Sequence, residues 1–284
     1  MGNLKALAQA KINLSLKVVG RRKDGFHEID TLMVPVSLAD TLTLRPSNAQ
    51  GIRLVCSEKN LPMDENNLVV KALLRFQEHF GLPLSLEVEL EKNIPSGAGL
   101  GGGSSDAAAA LVLANTFYQQ PFQPEKICQI AAELGSDIPF FCQQSAARCL
   151  GRGEVVQAIP NQPDFTVLLI KPPFGVASAF AYQRWAVSRK LPGVCYEPQE
   201  YAKISFYNDL EQPVFEKYIF LAHLKMWLLE QAETKIALMS GSGSTLFVVV
   251  ESQADAAQLS QRVRAEFGTT LWQKICRTGK IFTP

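Results

Sequence analysis

The sequence predicts an α+β protein of two domains, and three observations lead to this fold class. Residues 8–18 alternate strictly between apolar and polar side chains, as a half-buried strand does. Helical patterns follow, the clearest over residues 67–80, where apolar residues recur at helical spacing and Gly81 ends the run. After a segment rich in proline, glycine and polar residues, a second series of strands and helices begins. We therefore place the domains at residues 1–155 and 156–284.

In the first domain, a glycine-rich segment lies between a predicted strand and a predicted helix. Residues 84–90 alternate apolar and polar side chains, which is typical of a strand, and the alanine-rich residues 104–118 favour a helix. A further helix is expected over residues 125–134, ending at Gly135. In the second domain we expect four strands and three helices, the helices over residues 178–187, 214–232 and 254–268.

Composition argues against several classes of function. The 28 Lys and Arg residues balance 27 Asp and Glu, and no basic run is long enough to follow a phosphate backbone, so a nucleic acid polymer is not expected as a partner. Apolar runs are far shorter than the ~20 residues that cross a bilayer, and the first residues lack signal-peptide features. We expect a cytoplasmic protein with no membrane partner. Six cysteines without a C-x-x-C pair indicate buried reduced thiols.

The glycine-rich loop, residues 94–103, allows two interpretations. Its five glycines can adopt positive φ and let backbone N–H groups converge on an anion, while the following helix directs its positive dipole end to the same place. A flexible linker is the alternative, although a strand and an alanine-rich helix do not usually enclose a linker. The loop has neither the lysine of a P-loop nor the pattern of a dinucleotide-binding fold. We therefore expect a loop that binds phosphate.

Other candidate residues have ordinary local explanations. Lys11 is on the polar side of the first strand, where a solvated lysine is the usual case. Asp137 precedes an Ile-Pro pair and could cap a helix. His27 follows a glycine turn, and an isolated loop histidine is more often a surface residue. The segment MSGSGST, residues 239–245, fits either a hairpin turn or a second close approach of the backbone.

Together, the motifs AKINLSL, DGFHEI, IPSGAGLGGGSSDAAAAL, LGSDIPFF, NDLE and MSGSGSTLF occur in an order that resembles the GHMP kinases, the superfamily of galactokinase, homoserine kinase and mevalonate kinase. The resemblance covers nearly the whole chain. It implies an N-terminal ribosomal-protein-S5-like domain, a C-terminal ferredoxin-like domain and an active site in the cleft between them. It also implies ATP as co-substrate with Mg²⁺. Within the superfamily, the chain resembles kinases of the non-mevalonate isoprenoid pathway, whose acceptor is a cytidine diphosphate-linked polyol.

For the ATP half of the site, the resemblance assigns the glycine loop and the start of the next helix to the phosphates. Ser105 matches a Mg²⁺ ligand of the superfamily, and Asn67 and Lys92 match positions of the adenine site. The residues that match the phosphate-binding positions are Pro95, Ser96, Gly97, Ala98, Gly99, Leu100, Gly101, Gly102, Gly103, Ser104 and Ser105.

For the acceptor half, Asp137 matches the catalytic base of the family, and Lys11 matches a lysine that contacts both this base and the acceptor hydroxyl. Such a carboxylate can take the hydroxyl proton, while the ammonium keeps it ionised and offsets developing negative charge. The aromatic–histidine pair of the family binds the cytosine ring. The residues that match contacts to the acceptor are Asn13, Phe26, His27, Ser178 and Tyr182.

Two alternatives stay open at this point. The chain could be another GHMP kinase, with homoserine or a mevalonate derivative as its acceptor, which would not need an aromatic–histidine pair for cytidine. It could also be a GHMP-fold binding protein without catalysis, although Lys11, Asp137 and the glycine loop are all present. For the kinase, we expect a bacterial cytoplasmic enzyme that is a monomer or a weak homodimer.

Overall fold

Groups of strands and groups of helices follow one another along the chain in the computed structural model, which describes residues 2–143, 145–160 and 163–279. Over these residues the strands are β1 Leu4–Arg21, β2 His27–Pro46, β3 Gly51–Cys56, β4 Ser85–Glu91, β5 Ala147–Gly151, β6 Val155–Ala158, β7 Thr166–Lys171, β8 Gln199–Tyr201, β9 Ile204–Asn208, β10 Ile236–Met239, β11 Leu246–Val250 and β12 Trp272–Arg277. The helices are α1 Leu68–Phe80, α2 Gly102–Phe117, α3 Pro124–Leu134, α4 Ile138–Gln143, α5 Ser178–Arg184, α6 Glu211–Lys217, α7 Ile219–Leu229 and α8 Gln253–Phe267.

The strands form two sheets of different topology. The first sheet has the order β3-β4-β2-β1-β9-β8, with β5 paired to β2 and β6 paired to β5. The second sheet has the order β10-β11-β7-β12, and all its pairs are antiparallel. In that sheet β7 lies between β11 and β12, which is the arrangement of a βαββαβ ferredoxin-like unit. The two-domain fold implied by the resemblance is therefore confirmed.

Three apolar cores hold the sheets and helices in four layers. The first core lies between helices α1 to α4 and one face of the first sheet. The second lies between the two sheets, and the third lies between the second sheet and helices α5 to α8. Strand β7 shows why its sequence is continuously apolar: Val167 and Leu169 enter the core between the sheets, whereas Leu168 and Ile170 enter the outer core.

Strand β1 confirms the predicted alternation but not the predicted exposure. Ile12 and Leu14 are buried between the two sheets, as their spacing predicts. Lys11 and Asn13, on the opposite face, are only 3% exposed. The glycine loop covers this face, and the N–H of Lys11 donates to the carbonyl of Leu100 at 3.0 Å. The centre of β1 is therefore buried on both sides, and the interpretation of Lys11 as a solvated lysine is wrong.

The domain boundary placed between residues 155 and 156 falls inside β6. This strand pairs with β5, so the glycine-containing segment before it is the turn of a hairpin in the first sheet. Strands β8 and β9 also return to that sheet, where β9 runs parallel to β1. A single cut in the sequence therefore does not separate the two sheets. Residues 161 and 162 of the expected boundary segment lie outside the described residues.

The single helix predicted over residues 214–232 is wrong, because two shorter helices occupy this segment. Helix α6 ends at Lys217 and α7 begins at Ile219. Between them, Tyr218 has φ −112° and ψ 69°, outside the helical region, and its ring stacks on Phe174 with ring centres 5.2 Å apart. Apolar spacing continues across the break, so periodicity alone does not reveal it.

The cysteines are free thiols, and their burial differs from the expectation. Cys56, Cys149 and Cys276 are buried, whereas the other three are only partly buried. Within the described part of the chain, no group of three or more His, Cys, Asp or Glu side chains is arranged to hold a metal ion. The same residues include no helix that combines the length and the apolar character needed to cross a membrane.

A buried ion pair holds the second domain together beside the end of β10. Lys225 Nζ donates to Glu211 Oε2 at 2.6 Å and to the carbonyl of Cys195 at 2.8 Å. Glu211 Oε1 accepts the N–H of Met239 at 2.9 Å. Burial raises the pKa of Glu211, and the Lys225 ammonium opposes this shift. The pair therefore fixes the strand end from which the MSGSGST segment begins.

Replacing Lys225 with methionine is expected to lower the free energy of unfolding by about 3 kcal/mol, because Glu211 is left buried without its cation. The loss should shrink as pH falls, since protonation removes the buried charge of a carboxyl whose folded-state pKa is raised. Urea unfolding at several pH values measures both effects. The control is Lys190→Met, which removes the exposed Lys190–Glu197 pair and should cost less than about 1 kcal/mol. Equal losses of unfolding free energy in Lys225→Met and Lys190→Met would contradict a structural role for the buried Glu211–Lys225 pair.

Candidate active site

A cavity of about 660 Å³ lies between the two domains. Its walls come from β1, β2, the glycine loop, the start of α2, the residues before α4, helix α5 and the segment between β10 and β11. Every residue predicted for the site lines this cavity except Asn67 and Ser105. The structure therefore brings the predicted ATP half and the predicted acceptor half into one cleft.

The glycine loop is held in a defined conformation. Gly97, Gly99 and Gly101 have φ of 62°, 74° and 71°, in the left-handed region that glycine adopts readily. Helix α2 begins at Gly102, two residues earlier than predicted, and Gly102–Ser104 line the cavity. The first N–H groups of a helix have no partner within it and carry its positive dipole end. This arrangement favours anion binding over the linker interpretation.

The segment between β10 and β11 contacts the glycine loop directly. Thr245 N–H donates to the carbonyl of Ala98 at 3.2 Å, and Ser240 Oγ donates to the carbonyl of Gly99 at 3.0 Å. A Cβ at Gly99 would lie 2.2 Å from the carbonyl oxygen of Ser240 and 2.9 Å from that of Gly243. The MSGSGST segment is therefore a close backbone approach, and it approaches the glycine loop of the other domain.

Asn208 holds this segment in place, a role that the sequence analysis missed. Its Nδ2 donates to the carbonyls of Met239 and Gly241, both at 2.7 Å, and its Oδ1 accepts the N–H of Leu210 at 2.9 Å. A Cβ at Gly241 would lie 3.0 Å from Lys11 Nζ. The NDLE motif was the available signal, but nothing near it in the sequence shows which carbonyls the amide reaches.

The Lys11 ammonium is buried at the wall of the cavity. Its Nζ donates to Asn13 Oδ1 at 2.6 Å and to the carbonyl of Gly99 at 2.8 Å. An ammonium has three N–H groups, so these two bonds leave one for a bound molecule. Burial lowers the pKa of Lys11, and the charge of Asp137 opposes that shift. Lys11 is thus positioned to donate a hydrogen bond into the cleft.

Asp137 lies directly before α4 and faces the same space. Burial raises the pKa of the Cys149 thiol to about 12, and the Asp137 charge adds to this effect. Burial likewise raises the pKa of Tyr182, again with Asp137 adding to it. A Cβ at Gly153 would lie 3.5 Å from Asp137 Oδ1. The carboxylate therefore interacts with both sides of the cleft, although its position also fits the helix-cap interpretation.

Lys92 reaches the cavity, but its charge is already paired. Its Nζ donates to Asp106 Oδ2 at 2.6 Å and also to Asp40. Asp40 further accepts the N–H of Ile94 at 2.8 Å, at the start of the glycine loop. Burial acts to lower the pKa of Lys92, but the two carboxylates outweigh it and raise that pKa. Burial also raises the pKa of Asp106 to about 7. Lys92, Asp40 and Asp106 therefore anchor the start of the glycine loop. The sequence analysis did not predict this role for the two aspartates.

Two predicted residues do not reach the cavity. Asn67 is the N-cap of α1, and its Oδ1 accepts the N–H of Val69 at 2.9 Å; its neighbour Leu68 lines the cavity instead. Ser105 is buried on the side of α2 that faces away from the cavity, whereas Ser104 lines it. The metal-ligand role expected of Ser105 therefore has no support in this geometry.

Aromatic side chains from both domains meet at the acceptor end of the cleft. The rings of His27 and Tyr182 are stacked with centres 5.4 Å apart, and Trp185 meets His27 edge-on at 6.2 Å. Phe26 is 50% exposed, and the Arg152 guanidinium lies 4.8 Å from its ring centre. Burial lowers the pKa of His27, and a nearby arginine adds to this effect. Trp185 and Arg152 were not predicted.

The remaining predicted contacts connect the acceptor end to the rest of the cleft. Ser178, at the start of α5, has its Oγ 2.8 Å from Ser242 Oγ in the segment between β10 and β11. Asn13 Oδ1 accepts a hydrogen bond from Lys11. The residues predicted to bind the acceptor thus line the same cavity as Lys11 and Asp137, and Asn13 contacts Lys11 directly.

Gly99→Ala is expected to separate the two loops, since its Cβ would overlap the Ser240 carbonyl and its φ of 74° strains alanine. We expect a loss of more than about 2 kcal/mol in the free energy of unfolding, measured with urea, together with weaker binding of an ATP analogue. Gly103→Ala is the matched control for stability, because it lies in a helix and its Cβ would meet nothing closer than 3.4 Å. Equal stability of the two variants would rule out the importance of this contact.

Comparisons with known proteins agree with this geometry. The model described as "GHMP kinases N terminal domain" matches residues 67–145, and the one described as "GHMP kinases C terminal" matches residues 200–269. A 4-diphosphocytidyl-2-C-methyl-D-erythritol kinase of Methylacidiphilum infernorum is 37% identical over 276 residues, which is 96% of each chain. The enzyme of the same name from Protochlamydia amoebophila is 38% identical and covers 90% of this chain and 88% of its own.

Solved structures show the same relationship. A crystal structure of 4-(cytidine 5'-diphospho)-2C-methyl-D-erythritol kinase has a TM-score of 0.79 and 31% identity, covering 97% of this chain and 100% of that one. Homoserine kinase from Cytophaga hutchinsonii has a TM-score of 0.69 at 18% identity, which shows the shared fold alone. The chain therefore belongs to the GHMP kinases and, within them, to the family of 4-diphosphocytidyl-2-C-methyl-D-erythritol kinases.

Proposed function

We propose that this chain is an ATP-dependent kinase that phosphorylates the 2-hydroxyl of 4-diphosphocytidyl-2-C-methyl-D-erythritol, giving the 2-phosphate and ADP in the non-mevalonate isoprenoid pathway. One observation carries the proposal: a single cleft joins the glycine loop, the side chains of Lys11 and Asp137, and an aromatic group that includes Phe26, His27 and Tyr182. The names of relatives at 37% and 38% identity support the acceptor. Homoserine kinase shares only the fold, so a homoserine acceptor is less favoured.

The start of α2 suits the phosphates of ATP. The N–H groups of Gly102–Ser104 lack partners within the helix and line the cavity, where the helix dipole favours negative charge. Lys92 is already paired with Asp40 and Asp106, so we propose that it shapes the adenine end of the site and does not act as a free charge on the phosphates. The cradle is therefore built mainly from backbone groups.

The cavity wall near this cradle also offers an oxygen that suits a Mg²⁺ ion. Mg²⁺ prefers oxygen ligands and is usually held by substrate phosphates, waters and one or two protein oxygens. Ser104 supplies a hydroxyl on the cavity wall, so it takes the place of Ser105 in our proposal. When bound, the ion would offset negative charge on the transferring phosphate.

The acceptor hydroxyl needs a base and a defined position. We propose that Asp137 takes the hydroxyl proton, while the remaining N–H of Lys11 holds the hydroxyl oxygen. The ammonium also offsets negative charge as the phosphoryl group transfers. Because Lys11 is buried and bonded to fixed groups, it needs little rearrangement during the reaction. Positioning therefore accounts for much of the catalysis.

The aromatic end of the cleft suits a cytosine ring. Stacking of a base on an aromatic side chain contributes about 1–3 kcal/mol, and Phe26 and Tyr182 both line the cavity. His27, whose pKa is lowered, is neutral near pH 7, so its ring offers one donor and one acceptor to the polar edge of the base. These groups would recognise the cytosine of a nucleotide-linked polyol. A smaller acceptor such as homoserine has no ring for them to bind.

The proposed partners are small molecules. The cleft has a volume of about 660 Å³, which is within the range of small-molecule sites. The near-zero net charge gives no support to a nucleic acid polymer as partner. A cytoplasmic location and a monomeric or weakly dimeric state stay predictions from the sequence.

A panel of acceptors tests the proposed function. With ATP and Mg²⁺ present, we expect ADP release with 4-diphosphocytidyl-2-C-methyl-D-erythritol and none above background with homoserine or mevalonate. A coupled assay of ADP formation measures this, and phosphorus NMR identifies the phosphorylated hydroxyl. Turnover of homoserine but not of the cytidine-linked acceptor would overturn the assignment. Absence of turnover with every acceptor would favour a binding protein.

Asp137→Asn is expected to lower kcat by about 10²- to 10⁴-fold, because the amide cannot take the hydroxyl proton. Binding of an ATP analogue, measured by calorimetry, should be unchanged. Asp164→Asn is the control, since Asp164 is exposed and pairs with Arg277 outside the cleft. A near-normal kcat in Asp137→Asn would leave this residue as a helix cap only.

A further inference from the structure

We propose that Thr31 is a positioning residue, which fixes the orientation of the Asn13 amide and thereby keeps a hydrogen-bond acceptor on the Lys11 ammonium. The inference extends the proposed function of Lys11 and rests on it. Thr31 lies on β2, is 1% exposed and lines the cleft. Neither the sequence motifs nor the family resemblance assigned it a role.

A continuous series of hydrogen bonds connects Thr31 to Lys11. Thr31 Oγ1 donates to the carbonyl of Ser15 at 2.6 Å. The same oxygen accepts Asn13 Nδ2 at 2.8 Å. Asn13 Oδ1 then accepts Lys11 Nζ at 2.6 Å. All three side chains are buried, so none of these bonds has an easy replacement in water.

The direction of each bond follows from the chemistry of its two ends. A carbonyl only accepts, so Ser15 takes the single hydrogen of the Thr31 hydroxyl, and the Thr31 oxygen must then accept. An ammonium only donates, so Lys11 requires an acceptor from Asn13. The amide satisfies both neighbours in one orientation only, with Nδ2 toward Thr31 and Oδ1 toward Lys11. Thr31 therefore selects the orientation that the ammonium needs.

The local backbone explains how Thr31 reaches this place. The register between β1 and β2 shifts between Asn13 and Ser15, as in a β-bulge, and Thr31 lies opposite Leu16 just beyond the shift. Bulges beside active sites re-aim side chains. Here the irregular register places the Thr31 hydroxyl between an amide and a main-chain carbonyl.

Loss of the Thr31 hydroxyl would act on the charge of Lys11. The titratable groups that face this ammonium are Asp137, before α4, whose charge favours the charged form of Lys11, and Cys149, on β5, whose raised pKa keeps its thiol neutral. Burial disfavours the charged form, and the two accepting oxygens offset part of that cost. Without Thr31, the Asn13 amide is held in place only by Lys11 itself, so its oxygen is less fixed and offsets less of the cost of burial, which would lower the pKa of Lys11 further.

Thr31→Val tests this inference, because valine keeps the shape and removes the hydroxyl. We expect kcat to fall about tenfold and the alkaline limb of its pH profile to move down by about one pH unit, with the KM for ATP unchanged. The rate at which acetic anhydride labels Lys11, followed by mass spectrometry across pH, should show the same downward shift. This second measurement needs no turnover, so a failure of the proposed kinase activity and a failure of the Thr31 inference are distinguishable.

Three further variants complete the experiment. Thr31→Ser keeps the hydroxyl and should keep the wild-type pH profile of kcat. Thr31→Cys replaces that hydroxyl with a thiol, whose sulfur is a weak acceptor, and should resemble Thr31→Val. Thr41→Val removes another buried hydroxyl from β2, outside the cleft, and should leave the profile unchanged. If Thr31→Val does not fold, the serine and cysteine variants decide. The proposal would be overturned if Thr31→Val shifted neither the alkaline limb of the kcat profile nor the pH midpoint of Lys11 labelling. Identical pH profiles for Thr31→Ser and Thr31→Cys would also overturn it.

Discussion

The carbonyl oxygen of Gly99 joins three parts of the molecule that are far apart in the sequence. It accepts Lys11 Nζ from β1 at 2.8 Å and Ser240 Oγ, from the segment after β10, at 3.0 Å. A Cβ at position 99 would overlap the Ser240 carbonyl, so this contact requires glycine. Because of this one acceptor, the lysine lies beside the phosphate-binding loop and both are held against the second domain. The other features of the cleft depend on that alignment.

Buried charges stabilise the arrangement from both domains. Lys92, with Asp40 and Asp106, fixes the strand end at which the glycine loop begins. The Glu211–Lys225 pair fixes the strand end that leads into the opposite loop. Such pairs add little net stability compared with apolar residues, but removing one partner is costly. Their effect here is to specify the geometry of loops whose glycines would otherwise leave the backbone free to move.

The sequence predicted best what local pattern encodes, such as the strand and helix around the glycine loop and the side chains that share a face of β1. It did not predict that the glycine loop and the segment between β10 and β11 together bury Lys11, because these contacts join residues far apart in the chain. Family motifs gave positions but not orientations: Asn67 caps a helix, and the rotation of α2 turns Ser105 away from the cleft while Ser104 faces it. The return of β8 and β9 to the first sheet likewise depends on tertiary pairing.

The central claim is that one cleft presents the ATP phosphates at the start of α2 and the acceptor hydroxyl at Lys11 and Asp137. A crystal structure with a non-hydrolysable ATP analogue and 4-diphosphocytidyl-2-C-methyl-D-erythritol tests it most directly. We predict the terminal phosphate at the N–H groups of Gly102–Ser104, and the 2-hydroxyl within hydrogen-bond distance of both Lys11 Nζ and the Asp137 carboxylate. A 2-hydroxyl bound elsewhere, with Asp137 out of hydrogen-bond reach, would contradict the claim.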